Sequence, residues 1–236
     1  MSRILLVDDA AALAELFGRA IERQGGHHVD VVVALADVPA QIDGTEPYDL
    51  ALVDLSFPQE PGSGLDALVH ISRSCPSTRL AIITQGDEWV ASLLRDAWEL
   101  LPISTVISKS APIDYQMAAI DAVLAHGSAP PDPAIQPLLP DRRRSLRSAE
   151  RFARLVQHAG HSKLWSALHD LPEPTYKSMA DRTGLKLNTL KNYRAQLIDE
   201  LKLHGLNDPT LRDMHLFAVR CWAFLEPFVR NVSRPS

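Results

Sequence analysis

Cysteine is nearly absent: Cys75 and Cys221 are the only two in 236 residues. They stand far apart without a CxxC spacing, which argues against a disulfide framework and against a cysteine-based zinc site. No apolar run approaches the roughly 20 residues that span a bilayer. The opening MSRILLVDDA carries an apolar run of only a few residues that ends in two aspartates, so it does not read as a signal peptide, and a cytoplasmic protein without membrane contact is expected. His158, His161 and His169 are near one another, but no cysteine or carboxylate completes a ligand set around them. No internal repeat is visible.

What the chain has is length for two modest domains and a charge balance that changes sign along it. Residues 1–126 carry 7 Lys+Arg against 18 Asp+Glu, a net −11, and residues 127–236 carry 17 against 11, a net +6. An acidic half suits a divalent cation and a basic half suits phosphates, so the two halves are expected to meet different partners.

Short β-branched runs alternate with amphipathic helical stretches through residue 126, the pattern of a parallel sheet with crossover helices. Strands are expected at Ile4–Val7, Val29–Val33, Leu50–Val53, Leu80–Ile83 and Thr105–Ile107. Helices are expected at about 10–24, 35–42, 64–74, 88–99 and 112–126, giving an α/β, doubly wound (βα)5 domain. The five prolines of GSAPPDPAIQPLLPDRRRS then predict an extended, semi-rigid linker over 127–145. An all-α domain is expected over 146–236, with helical patterns at Leu146–His158 and Ser162–His169 and another after the Pro172-Glu173-Pro174 break.

In a doubly wound sheet, functional groups gather beyond the carboxyl ends of the strands. Asp8 and Asp9 follow the first strand, Asp54 the third, Thr84 the fourth and Lys109 the fifth. Three ionised carboxylates in one crevice repel one another and call for a cation. Mg²⁺ fits, since it takes one or two carboxylates together with waters and phosphate oxygens. With a lysine and a threonine hydroxyl at the same rim, the group can accept a phosphoryl.

Through LLVDDA, ALVDLSFP, AIITQG and ISKSAP, in that order, residues 3–126 resemble response-regulator receiver domains, which are flavodoxin-like. The resemblance implies that Asp54 is the nucleophile that becomes aspartyl phosphate. It implies that Asp9 ligates Mg²⁺ directly, that Asp8 acts mainly through water, that the Ser56 backbone carbonyl adds a ligand, and that Thr84 and Lys109 bind the phosphoryl oxygens. It also implies a cognate sensor histidine kinase as phosphoryl donor. Two positions depart from the family: Val106 stands where an aromatic rotamer switch is common, and Ser110 replaces the proline that often follows the lysine.

In TYKSMADRTGLKLNTLKNYRAQLIDEL, helical apolar spacing is interrupted once, at Gly184, where a tight turn between two helices needs a permissive residue. Ala180 permits close approach, and Met179, Leu185, Leu190 and Tyr193 are expected to form the packing between the helices. Asn188 is placed to cap the second helix or to sit in its first turn. Lys186, Asn188, Thr189, Lys191, Asn192, Arg194 and Gln196 are the candidate contacts to phosphates and base edges, and no acidic residue intervenes before Asp199. LKLNTLKNYRAQLIDEL resembles the DNA-binding helix of LuxR-like (NarL/FixJ-type) regulators. That resemblance implies a non-enzymatic transcription regulator that binds double-stranded promoter DNA, expected as a homodimer. Glu200 stands where a lysine is common, and a helix over Leu211–Arg230 extends the domain, with Phe217, Trp222, Phe224 and Phe228 expected in its core.

Two other functions are compatible with parts of this pattern. A haloacid-dehalogenase-type phosphatase would use similar aspartates but needs a DxD pattern on its first strand, where this chain has VDD. A protein- or RNA-binding helical output, or a regulator independent of phosphorylation, would keep the first domain and change the role of the second.

Overall fold

A computed structural model describes residues 1–43, 46–141 and 149–232. The chain divides into two compact units, Met1–Ser145 and Leu146–Ser236. In the first, β1 (Arg3–Val7), α1 (Ala11–Gly25), β2 (His28–Val32), α2 (Val38–Asp43), β3 (Leu50–Val53), α3 (Gly64–Ser74), β4 (Arg79–Thr84), α4 (Ala91–Leu100), β5 (Ile103–Ser108) and α5 (Ile113–His126) follow one another. The five strands are parallel in the order β2-β1-β3-β4-β5, the flavodoxin-like doubly wound arrangement. The strands read as nearly continuous apolar runs because helices cover both faces of the sheet. Ile4, Leu5, Leu6, Leu50, Ala51, Leu52, Val53 and Ala81 are all fully buried.

Where the third strand ends, the chain turns tightly under α3. A Cβ on Gly64 would lie 1.7 Å from the carbonyl oxygen of Asp54, so only glycine permits this approach. The helix is then started by a reciprocal pair, with Ser63 and Asp66 forming a capping box.

The expected linker takes a different form. Residues 129–139 lie along the free edge of β5 and do not extend away from it. Ala129 N–H donates to the Ser104 carbonyl at 3.1 Å, Asp132 N–H to the Val106 carbonyl at 2.8 Å, and the Thr105 hydroxyl to the Pro130 carbonyl at 3.1 Å. An edge strand offers unpaired backbone groups that a protein must cover, and here those groups outweigh the extended preference of the prolines. Positions 142–145 of the expected linker lie outside the described residues.

The second unit is helical: α6 (Phe152–Leu155), α7 (Ala159–Asp170), α8 (Tyr176–Thr183), α9 (Leu187–Leu203), α10 (Leu211–Arg220) and α11 (Trp222–Val232). Its core is built from Phe152, Leu164, Trp165, Leu190, Leu201, Phe217 and Phe224. Phe152 stacks on Phe217 and Phe224 with ring centroids 5.9 and 5.1 Å apart, and the Trp165 indole N–H donates to the Leu155 carbonyl at 2.8 Å. Of the four aromatics expected in the C-terminal core, Phe217 and Phe224 are buried while Trp222 and Phe228 are partly exposed. The single helix expected over Leu211–Arg230 is two helices that meet at Cys221. The helix expected at Leu146–His158 is the short α6, preceded by a 3₁₀ turn at Ala149–Arg151; its first three residues lie outside the described range. No helix among the described residues is long and apolar enough to cross a membrane.

Replacing Gly64 by alanine is expected to cost about 1–3 kcal/mol through overpacking and to displace the Asp54 backbone. Urea unfolding of the Gly64→Ala variant checks this, and a wild-type midpoint would contradict it.

Candidate functional site

The parallel register brings the ends of β1, β3, β4 and β5 to one rim. Asp54 N–H donates to the Val7 carbonyl and Asp8 N–H to the Val32 carbonyl, so the backbone of both aspartates continues the sheet. Their side chains are almost wholly withdrawn from solvent, Asp8 at 7% and Asp54 at 4% exposure. Between them lies the Lys109 ammonium, 2.6 Å from Asp8 Oδ2 and 2.7 Å from Asp54 Oδ2.

Asp9 is half-buried. Asp8, Asp9 and Asp54 each offer a carboxylate oxygen, and these oxygens all lie within 4.8 Å of one another. Asp54 Oδ1 is buried with no hydrogen-bond partner among the described residues. A buried carboxylate oxygen without a donor is costly, and a divalent cation held by the same three aspartates would satisfy it. The residues present therefore fit the expected Mg²⁺. Asp8 is already committed, because its Oδ1 accepts the Ala10 N–H at 3.0 Å while Oδ2 accepts Lys109.

Asp9, Asp54, Ser56, Thr84, Gln85, Asp87, Val90 and Lys109 line one cleft. Thr84 accepts the Gly86 N–H through its hydroxyl oxygen at 3.2 Å, which leaves the hydroxyl proton available to an acceptor. The loop after Lys109 is held by a residue that sequence reasoning missed. The buried Gln116 amide nitrogen lies 3.0 Å from the Ser108 carbonyl, 3.2 Å from that of Lys109 and 3.0 Å from that of Ala111. A buried glutamine on the first turns of α5 was its only trace in the sequence.

Burial raises the Asp54 carboxyl above the ordinary aspartate range; the hydrogen bond and charge of Lys109 oppose this without cancelling it, and the Asp8 charge adds to the rise. Asp9 is raised as well, first by burial and then by Asp8. Burial works to lower Lys109, but its hydrogen bonds to Asp54 and Asp8 outweigh that and hold the ammonium above the usual lysine value. Burial is thus the main reason that the charged forms of Asp9 and Asp54 are disfavoured, while the carboxylates beside Lys109 favour its charged form.

In the second unit, Gly184 takes the left-handed conformation at φ 71° and closes α8 before α9. Met179 and Leu190 pack fully buried between these helices, with Leu185 and Tyr193 partly buried. Asn188 sits in the first turn of α9, where Lys186 occupies the cap position. Lys186, Asn188, Lys191 and Asn192 are exposed, and Thr189 is partly buried.

Two of the seven candidates are used elsewhere. Arg194 donates from Nε to the Pro209 carbonyl at 2.8 Å and lies 3.5 Å from Asp208, so it ties α9 to the following loop. Gln196 Oε1 meets His161 Nε2 at 3.3 Å. Arg194 is partly buried by its contacts, while Gln196 remains exposed. Neither partner is close in sequence, and helical spacing cannot register such contacts.

The histidines act structurally. His158 caps α7 by accepting N–H groups from Gly160 and His161, and His169 stacks on Trp222 with centroids 4.0 Å apart. Burial, followed by the neighbouring His158, lowers the basicity of His161. Glu200 faces Arg151 and Arg154 at 3.7 and 3.9 Å.

No protein-family model and no curated protein sequence matches the chain. Among solved structures, it is similar to a LuxR-family two-component response regulator from Aurantimonas sp. SI85-9A1, at 28% identity over 58% of this chain and 94% of that one, with a TM-score of 0.49. A LuxR-family DNA-binding response regulator from Silicibacter pomeroyi is similar at 25% identity over 56% and 98%, with a TM-score of 0.46. The response regulator TrrA from Thermotoga maritima, solved with Mg²⁺ and BeF, is similar at 22% identity over 52% and 99%, with a TM-score of 0.44. Each likeness spans little more than half of this chain.

The raised carboxyl gives a prediction about pH. A folded-state carboxyl above its unfolded value contributes stability that is complete at acid pH and is lost as pH rises through the folded value. Asp54→Asn, which mimics the protonated form, is therefore expected to raise the thermal midpoint of the metal-free protein by a few degrees at pH 7. The gain should shrink on acidification as the wild-type carboxyl takes up its proton. A calorimetric series across pH checks this, and a lower midpoint for the variant at pH 7 would contradict it.

Proposed function

We propose that this chain is a two-component response regulator, in which Asp54 of the N-terminal unit accepts a phosphoryl group and the C-terminal unit binds promoter DNA. The observation that carries the reading is the Lys109 ammonium held between Asp8 and Asp54, beside a buried Asp54 oxygen that has no partner. That group is equipped to neutralise charge on a phosphorylated carboxylate.

In the transfer, an Asp54 carboxylate oxygen attacks phosphorus. The new O–P bond forms as the donor's P–N bond to a kinase histidine, or the P–O bond of acetyl phosphate, breaks; the leaving imidazole takes up a proton, or acetate departs. Bound Mg²⁺ supplies positive charge to the phosphoryl oxygens. Asp9, Asp54 and the Ser56 carbonyl would hold it directly, and Asp8 through water, in keeping with the existing engagement of both Asp8 oxygens. Lys109, released in part from Asp54, donates to one phosphoryl oxygen and the Thr84 hydroxyl to another. The chain itself turns over no substrate in this reading: it takes one phosphoryl and holds it.

For the second unit, the reading rests on α9 with its exposed Lys186, Asn188, Lys191 and Asn192 and on the basic balance of that half. An α-helix of this polarity enters a major groove with its N-terminal residues at the base edges, and Thr189 completes the candidate face. A homodimer on two half-sites, a sensor histidine kinase as donor and a cytoplasmic setting complete the proposal.

Asp54→Ala is expected to abolish phosphoryl incorporation from acetyl phosphate in Mg²⁺ with an unchanged circular dichroism spectrum. Undiminished incorporation would move the acceptor elsewhere.

On DNA, Lys191→Ala is expected to weaken binding to all sequences and lower the salt slope by about one. Asn192→Ala should cost about 1–3 kcal/mol at a single base position. Arg194→Ala should instead lower folding stability, by about 0.5–1.5 kcal/mol, for the lost bond to the Pro209 carbonyl. Titrations at several salt concentrations, beside unfolding curves, separate these outcomes. Wild-type DNA affinity in both Lys191→Ala and Asn192→Ala would remove α9 as the contact.

A further inference from the structure

The segment that covers the β5 edge ends against the loop that leaves the site. After its bonds to Ser104, Thr105 and Val106, the chain turns at Asp132, whose carboxylate accepts the Ala134 N–H at 2.8 Å and whose carbonyl accepts the Ile135 N–H at 2.9 Å. This turn delivers the Ile135 side chain, 2% exposed, onto Gly86. A Cβ on Gly86 would lie 2.6 Å from Ile135 Cδ1 and 3.6 Å from Leu138 Cδ1. The 3₁₀ turn Gln136–Leu138 packs on α4, the helix that follows this loop.

Gly86 is also the residue whose N–H is held by the Thr84 hydroxyl oxygen, and its φ of 80° makes it a left-handed turn. Only Gln85 therefore separates the proposed phosphoryl ligand Thr84 from the seat of Ile135. The strap's other hold, the Asp132 bond, falls on the carbonyl of Val106, three residues before Lys109. One hold thus falls on the loop that follows Thr84 and another on the strand that leads to Lys109. Beyond residue 139, the same chain continues toward the second unit.

We propose that residues 129–139 are a strap latched by Ile135 on the loop after Thr84, and that phosphorylation of Asp54 unlatches it, loosening the segment that leads to the DNA-binding unit. The inference rests on the reading of Asp54 and Thr84 given above. When the Thr84 hydroxyl turns to a phosphoryl oxygen, its bond to Gly86 N–H is disturbed and the 85–87 loop follows Thr84. Ile135 then loses the flat glycine surface it packs against. No aromatic side chain is needed, which suits a strand that carries Val106.

The test is hydrogen–deuterium exchange on the full chain with and without Mg²⁺ and beryllofluoride, a tetrahedral phosphoryl mimic. Peptides covering 129–139 report the strap; the peptide containing Asp54, with the fluorescence of Trp89 between β4 and α4, reports the site. The ligand is expected to protect the Asp54 peptide and to speed exchange in the strap on the order of tenfold. Linkage is reciprocal, so Ile135→Ala should speed strap exchange without ligand and tighten beryllofluoride binding by a matching factor. Thr105→Val, which removes the hydroxyl bond to Pro130 while keeping the side-chain shape, should act in the same direction and carries the test if Ile135→Ala does not fold. A site that responds while strap exchange and the variants' affinities stay at wild-type values would overturn the strap and leave the Asp54 reading standing. A site that does not respond at all would overturn the reading and the strap with it.

Discussion

The Lys109 ammonium holds together two carboxylates that would otherwise repel each other across the end of the sheet. Asp8 and Asp54 are buried on adjacent strands, β1 and β3, where neither can be solvated by bulk water, and Lys109 reaches both within 2.7 Å. One positive charge against three carboxylates leaves the group acidic, and burial first, with the Asp8 charge adding to it, raises the Asp9 and Asp54 carboxyls. In the proposed reading, a divalent cation would balance that acidity and bring a phosphate with it.

Everything near this contact serves its position. The parallel register sets the heights of Asp8, Asp54 and Lys109, Gly64 allows α3 to start directly beneath Asp54, and Gln116 holds the loop that follows Lys109. The second unit has its own aromatic core around Phe152 and Trp165, and the first half of α9 exposes Asn188, Lys191 and Asn192, with Lys186 at its cap. In the proposed reading, the two halves of opposite sign meet phosphate in two ways, one through a metal and one by direct contact.

Much of this is legible in the sequence because periodicity and strand ends are local signals. Each of the five expected strands lies within about two residues of its observed bounds, and the polar residues after them converge as expected for this topology. What escaped reading depends on contacts distant in sequence. The proline-rich stretch looks like a connector because nothing periodic marks it, yet two backbone donors and one isoleucine are enough to bind it along β5. Arg194 looks like a nucleic-acid contact until the Pro209 carbonyl, fifteen residues away, is seen to accept its Nε–H. A glycine such as Gly64 carries no pattern of its own; only the Asp54 carbonyl beside it explains why a methyl group does not fit.

The central claim is that the Lys109-bridged carboxylate is a phosphoryl acceptor, and chemical mapping of the modified residue tests it most directly. Full-length protein treated with acetyl phosphate in Mg²⁺ and then with borohydride converts an acyl phosphate to the alcohol, so a phosphorylated aspartate is read as homoserine by peptide sequencing in a mass spectrometer. The account predicts homoserine at position 54, dependent on Mg²⁺ and absent when the phosphodonor is withheld. Homoserine at another aspartate, or at none while the protein remains folded, would contradict it.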